Sequence, residues 1–379
     1  MRSHKRLRNY KNMAKKYKLK QLKLSSFKNF ADLTYNVRSG RIFGRGSEGK
    51  TNLLSAISAM LVKKDLFGTK TNPLSKSVNA CWVKAEWDID GEKITSYRAW
   101  NRSFPDISTS GSVPNFDDRF FLYIFNPLFV FERSREELVD LLIETAYCRS
   151  DMLISYELPE DVGDVSKQIG QKISLSHTSK LKEIVEYCKW SLKSLMAEKQ
   201  KIEKRIGQLR QSSDNAVFAN ELENNLKKVS SNIEEERAKI GAVTEIKSCL
   251  LKSAVEKLNP TMILTRFDDC ANITYNDRPL EQLSSSEKLS CGLDIANMIA
   301  LSIDGNIPPT VIDNAAIYDL KNIDTELYQG LSQIITASYA DVELCEYNPP
   351  YLTAMDQSWK KSTNADFQME VFLRGIPYE

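Results

Sequence analysis

The stretch Phe43-Gly44-Arg45-Gly46-Ser47-Glu48-Gly49-Lys50-Thr51-Asn52-Leu53-Leu54 constrains this chain more than any other, because it reads G-x-x-x-x-G-K-T. Gly40-Arg41-Ile42-Phe43 before it predicts a short strand, and the apolar run Leu53 to Leu61 after it predicts a helix. Strand, glycine-rich loop and helix together give the pattern a mechanism. Loop N–H groups and the helix N-terminus surround a polyphosphate, Lys50 reaches its β- and γ-phosphates, and the Thr51 hydroxyl ligates Mg²⁺. On this reading the nucleotide contacts are Gly44, Arg45, Gly46, Ser47, Glu48, Gly49, Lys50, Thr51 and Asn52. The plain alternative is a glycine turn that caps an ordinary helix, and both flanks argue against it.

Composition bounds what such a loop serves. A chain of 379 residues with 42% hydrophobic content fills a core, so a disordered protein is excluded. No apolar run is long enough to cross a bilayer, and the basic N-terminus is not followed by the apolar stretch of a secretory signal. Seven cysteines without C-x-x-C pairs point to reduced thiols in a cytoplasmic protein and away from a zinc hook. The net charge of +2 hides an asymmetry: residues 1–30 hold eleven Lys and Arg and no acidic residue. That leaves 41 of the 52 basic residues against all 50 acidic ones, so the body carries −9. Overall charge therefore gives no support to DNA binding, and any nucleic-acid contact must come from a local patch. Residues 1–17 are expected to form a basic tail outside the fold, and Met13-Ala14-Lys15-Lys16 reads as a plausible start.

Along the chain, Lys18 to Phe27 and Leu33 to Val37 alternate as strands. Ala80 to Asp88 and Lys93 to Trp100 flank Asp90-Gly91, a hairpin turn signal. The apolar run Arg119 to Phe131 reads as a buried strand broken at Pro127, and Ser134-Arg135-Glu136-Glu137 as a capping box opening a helix to Ala146. From Leu181 to Leu209 and again from Leu222 to Leu250, apolar positions recur at alternating spacings of four and three around the polar Gln211 to Asn215. This predicts an antiparallel coiled-coil hairpin with arms of roughly 45 Å at 1.5 Å per residue. A pair of long core helices is the other reading. Strand patterns return at Met262 to Leu264 and Ala271 to Tyr275, with a turn at Asn276-Asp277-Arg278. Ser284 and Glu287 make a capping box before a helix through Ile299. Further strands are expected at Val311-Ile312, Gln333 to Ala337, Val342 to Cys345 and Met369 to Leu373, with a helix from Ile323 to Leu331.

Two constellations complement the loop. Asp313 ends a strand, where a carboxylate holds Mg²⁺ through water; the plain alternative is a terminal Asp that caps the next turn of chain. Leu283-Ser284-Ser285-Ser286-Glu287 opens a helix whose free N–H groups suit a phosphate, including one presented by a second subunit.

Phe27-Lys28-Asn29-Phe30, then Gly49-Lys50-Thr51-Asn52-Leu53-Leu54-Ser55-Ala56-Ile57, an inserted coiled coil, a Leu-Ser-x-x-Glu signature and a late Asp strand occur in that order. In this the chain resembles the RecF/SbcC/SMC branch of ABC-type ATPases from about Lys18 onward, with a far shorter coiled coil than SMC or SbcC proteins. The resemblance implies an α/β head, a mixed sheet with flanking helices and an antiparallel β subdomain, interrupted by the hairpin. Its expected parts are residues 18–175, the hairpin at 176–255 and the returning head at 256–379. It implies Mg-ATP held by Lys50, Thr51 and Asp313 with Lys28 alongside, and Ser284 and Ser286 against the nucleotide of a second copy. Heads of this kind close on ATP as dimers and clamp or sense DNA, often beside a nuclease or recombination partner, which places the expected role in DNA repair, recombination or defence.

The chain also departs from that pattern. Gly46 and Ser47 stand where the family has Asn and Gly, and Ser286 replaces the signature's glycine. Asn314 replaces the catalytic glutamate; a carboxamide orients water but cannot act as a general base, a loss of roughly 10²–10⁴-fold in rate. Thr336-Ala337-Ser338 lies where a switch histidine is expected, and Asn126 stands for the Mg²⁺-sensing glutamine. The expectation is a slow ATPase. The alternative is a hydrolysis-deficient scaffold, locked by nucleotide, that oligomerises and presents an effector such as a nuclease. An unrelated P-loop kinase or NTPase is a third reading, opposed by the coiled coil and the Leu283 to Glu287 segment.

Overall fold

The computed structural model describes residues 15–37, 41–44, 49–70, 73–74, 78–102, 108–111, 114–148, 162–170, 178–209, 216–318 and 327–339. Along the chain these form β1 (Tyr17–Phe27), β2 (Phe30–Asn36), β3 (Arg41–Gly44), α1 (Lys50–Val62), β4 (Ala80–Ile89), β5 (Glu92–Asn101), β6 (Ser108–Gly111) and α2 (Phe121–Phe125). Then come α3 (Arg135–Ala146), α4 (Asp164–Gly170), α5 (Ser179–Leu209) and α6 (Ala216–Leu258). The chain returns through β7 (Thr265–Phe267), β8 (Ile273–Tyr275), β9 (Arg278–Pro279), α7 (Ser285–Ser302), β10 (Thr310–Ile312) and β11 (Ile334–Tyr339). Contacts divide it into two compact units, one of residues 1–134, 259–266 and 273–379, the other of residues 135–258 and 267–272.

In the first unit the order β2-β1-β4-β5-β6 makes an antiparallel sheet, and β10-β11-β3 a parallel one. The β4–β5 hairpin turns at Asp90-Gly91, both at positive φ, with Ile89 opposite Glu92. Helix α1 packs on strands of both sheets, so Leu53 to Leu61 are buried without a break. That double cover explains why its sequence is apolar all round rather than amphipathic. At its C-terminal end, buried Arg98 of β5 donates Nη1–H to the Ala59 carbonyl at 2.9 Å, a cation where the helix dipole favours one. Burial lowers the Arg98 pKa to about 10.

The two sheets are also joined at β1. Lys15 and Tyr17, expected at the end of a tail outside the fold, instead exchange backbone hydrogen bonds with Ile307, Ser332 Oγ lies 3.0 Å from the Tyr17 carbonyl, and Gln333 brackets Leu19. Leu19 N–H donates to Gln333 Oε1 at 2.8 Å, while Gln333 Nε2 donates to the Leu19 carbonyl at 3.2 Å. One side-chain amide thus takes both backbone bonds of a strand residue, beside the register irregularity between Leu19 and Gln21.

Three expected elements differ. Arg119 to Phe131 is not a broken strand but α2 followed by a 3₁₀ turn at Pro127–Glu132. Phe121 and Phe125 stack at 5.1 Å, the one-turn spacing of a helix face. Because nearly every residue from Phe120 to Val130 is buried, the segment carries no period from which to tell helix from strand. Pro127 opens the turn rather than breaking an element, and Asn126 caps it by accepting the Leu128 N–H. Met262 to Leu264 is not a strand either: Ile263, Leu264 and Thr265 give their N–H groups to the buried Asp294 carboxylate on α7 at 2.8–3.0 Å, so β7 starts only at Thr265. The helix expected at 323–331 has its described end, Leu327 to Leu331, in a turn closed by the Leu331 N–H on the Tyr328 carbonyl. Residues 319–326, the Gln211 to Asn215 turn and the strands expected at 342–345 and 369–373 lie outside the described residues.

The second unit is helical. α5 and α6 pack together along the predicted seams, with Leu181, Cys188 and Ile206 buried on α5 and Val229, Ile233, Val243 and Leu250 on α6. Lys247, a polar residue at a seam position, pairs with buried Asp140 of α3 at 2.9 Å, and Lys182 approaches the other oxygen at 2.6 Å. α3 and α4 both lie on α6.

Candidate functional site

β3 ends at Gly44 and α1 begins at Lys50; Arg45, Gly46, Ser47 and Glu48 lie outside the described residues. Gly49, before the helix, has φ +86. A Cβ there would lie 2.4 Å from Asn29 Nδ2 and 2.8 Å from Phe30 Cζ, so both the backbone conformation and the space demand glycine. Asn29, buried in the turn between β1 and β2, accepts a hydrogen bond on Oδ1 from Asn52 Nδ2 at 2.8 Å. The turn that carries Lys28 and Asn29 therefore backs the residue just before α1. Lys28 itself has φ 51 and gives its N–H to the Pro73 carbonyl at 2.7 Å. Burial lowers its ammonium pKa, partly offset by Asp65.

β3 and β10 do not touch; β11 lies between them, so they run roughly 10 Å apart at the usual strand spacing. Thr51, one residue inside α1, spans that gap: its Oγ1 donates to Asp313 Oδ2 at 2.6 Å, directly after β10. The other Asp313 oxygen accepts the Asn314 N–H at 2.9 Å, and Asn314 sits in the left-handed region at φ 52. Asn tolerates that region better than most residues. Tyr318 follows, its pKa raised by burial and by the Asp313 charge.

The side chains fit Mg-ATP. A hydroxyl and a carboxylate at one point are the hard oxygen donors that Mg²⁺ takes. The first turn of α1 carries no acidic residue to repel a polyphosphate, and the residue before it, Gly49, has no side chain of its own.

Other predicted residues stand apart from this pair. Asn126 is buried with its amide engaged by Leu66 and Leu128. Ser284 caps α7, accepting the Glu287 N–H at 3.3 Å and donating Oγ–H to Glu287 Oε2 at 2.9 Å, while Ser286 is the second residue of that helix. Glu287 also pairs with Arg278, and its pKa falls to about 2, chiefly through the Ser284 N–H. Among the described bonds, none links Ser284 or Asn126 to Thr51 or Asp313. Thr336 to Ser338 lie in β11 itself. Sequence reasoning missed Asn29 and Tyr318 as neighbours of the site. Asn29 lies inside a noticed motif but far from Gly49 in sequence, and Tyr318 follows Asp313 without any spacing that marks it.

No family model and no curated protein matches the sequence. Solved structures do. The Smc head domain of Pyrococcus furiosus, with an extended coiled coil and bound to the C-terminal domain of ScpA, is 14% identical with a TM-score of 0.39, over 86% of this chain and 91% of that one. The recombination mediator RecF with ATPrS, of the RecFOR pathway, is 10% identical with a TM-score of 0.41, over 88% and 95%. The SMC head domain from Thermotoga maritima is 15% identical with a TM-score of 0.34, over 86% and 91%. Over most of its length the chain is thus similar to SMC and RecF heads, at identities of 10–15%.

Proposed function

We propose that this chain is an ATP-binding head of the SMC/RecF kind, which holds Mg-ATP between residues 44–52 and Asp313 and dimerises on it. The observation that carries the reading is the Thr51–Asp313 hydrogen bond across the intervening strand. Lys50 neutralises the phosphates, Thr51 and Asp313 hold the cation, and the α1 N-terminus orients the chain of phosphates. When bound, Mg²⁺ supplies charge neutralisation at the phosphates. Asn314 orients water by its carboxamide but takes no proton, so turnover is slow and the ATP-bound state long-lived. Exposed Ser284 at the start of α7 is the surface offered to a second copy's nucleotide. DNA repair, recombination or defence is the proposed setting, with DNA and a separate effector protein as candidate partners.

Single-turnover hydrolysis and light scattering with and without Mg-ATP test this. The expected result is tight ATP retention, an ATP-dependent doubling of mass and loss of both in Lys50→Ala. A monomer under both conditions sinks the head-dimer reading. A second reading, a nucleotide-locked scaffold without turnover, is favoured by the missing general base at Asn314; it predicts retained ATP with no phosphate release.

A further inference from the structure

Asn29 belongs to the β1–β2 turn, a part of the antiparallel sheet with no phosphate-binding pattern of its own. It is only 9% exposed, and both ends of its amide face the start of α1. Oδ1 accepts from Asn52 Nδ2 at 2.8 Å, and Nδ2 occupies the space where a Gly49 side chain would begin. Phe30 closes the same space from beside it. Gly49 is held at φ +86, so its N–H direction is set by a conformation that glycine alone does not favour over others. Something beyond the glycine itself must select it, and the three atoms nearest to where its side chain would begin belong to Asn29 and Phe30.

From this wedge we infer that Asn29 is a positioning residue for the phosphate loop: through Asn52 it fixes the first turn of α1, and by filling the space beside Gly49 it holds the loop's last residue in its left-handed conformation. The inference rests on the reading of residues 44–51 as a nucleotide loop, and goes beyond it by making affinity depend on a side chain in another sheet. Pre-organisation of this kind acts on binding rather than on global stability, because a loop that must order itself loses affinity by the cost of ordering.

The test is a double-mutant cycle on the full chain, with a fluorescent ATP analogue in Mg²⁺ as probe and thermal midpoints measured alongside. Asn29→Ala and Asn52→Ala are each expected to weaken binding by roughly three- to tenfold, the range of one lost hydrogen bond. The double variant is expected to be no weaker than the worse single one. Losses that add, or unchanged affinity in Asn29→Ala, overturn the inference. So does a lowered thermal midpoint with affinity intact, which is the mark of a merely structural role. If Asn29→Ala does not fold, Asn29→Ser takes its place in the cycle under the same criteria. A wild-type chain that binds no analogue overturns the nucleotide reading and this inference with it, an outcome distinct from wild-type binding with an indifferent Asn29.

Discussion

Thr51 Oγ1 and Asp313 Oδ2 lie 2.6 Å apart although the two residues are 262 positions apart in the chain. Thr51→Ala removes one oxygen from the point where they meet and is expected to weaken Mg-ATP binding about tenfold or more, while binding in EDTA changes little. Thr51→Ser keeps the hydroxyl and is expected to bind nearly as wild type. Calorimetry with and without Mg²⁺ reads both.

Gly49→Ala meets two obstacles at once, the positive φ and the Asn29 and Phe30 atoms at 2.4 and 2.8 Å. The expected loss is about 2–3 kcal/mol in urea unfolding, with nucleotide binding reduced. A variant as stable as wild type contradicts the geometry.

Asn314→Glu places a general base after Asp313, but at φ 52, where Glu is disfavoured by about 1 kcal/mol. The two expectations pull apart: a faster single-turnover rate together with a slightly lower unfolding midpoint. A wild type that already turns over fast, with no gain in the variant, sinks the slow-ATPase reading.

Glu287 has a pKa lowered from 4.5 to about 2 by the Ser284 N–H, Arg278 and the Ser284 hydroxyl. A depressed carboxylate pKa stabilises the fold above the unfolded value, and that contribution is lost as pH falls through the folded one. The stability gap between wild type and Glu287→Gln is therefore expected to be full at pH 7 and to narrow from pH 4.5 toward pH 2. A gap that grows on acidification contradicts the assignment.

Asp140 is 8% exposed and faces both Lys247 and Lys182, of which Lys182 is 44% exposed. Asp140→Ala leaves the half-buried Lys247 with the exposed Glu136 at 3.7 Å, while Lys182 swings into water. The expected cost is about 2 kcal/mol, below the roughly 3–5 kcal/mol of a fully buried pair for that reason. Guanidinium unfolding measures it, and a neutral substitution argues against a structural role for the pair.

Residues 41–62 and the α5–α6 hairpin are readable from sequence because each obeys one local rule, a glycine pattern or a seam period. Arg119 to Glu132 is not, since burial of nearly every residue from Phe120 to Val130 erases the period that separates helix from strand. Met262 to Leu264 fails for a different reason: the backbone partner is a side chain, Asp294, so an apolar run that looks fit for a ladder never enters one. The carboxylate at Asp313 is visible as the end of an apolar strand, and the distant loop it pairs with is visible by itself. Their meeting, and the support of Gly49 by Asn29, depend on how two sheets come together, which no local pattern encodes.

The parallel sheet takes one strand, β3, from the first fifth of the chain and two, β11 and β10, from beyond residue 309. During synthesis β3 and α1 emerge long before β11, the strand that pairs with β3 in the finished sheet. The helical unit, built from residues close in sequence, has what it needs to close early, whereas the head must wait for its last segment to leave the ribosome. A truncated product lacking residues beyond 309 is therefore left with α1 short of the cover that β11 gives it, its apolar surface open to aggregation, and the Thr51 hydroxyl without its carboxylate partner.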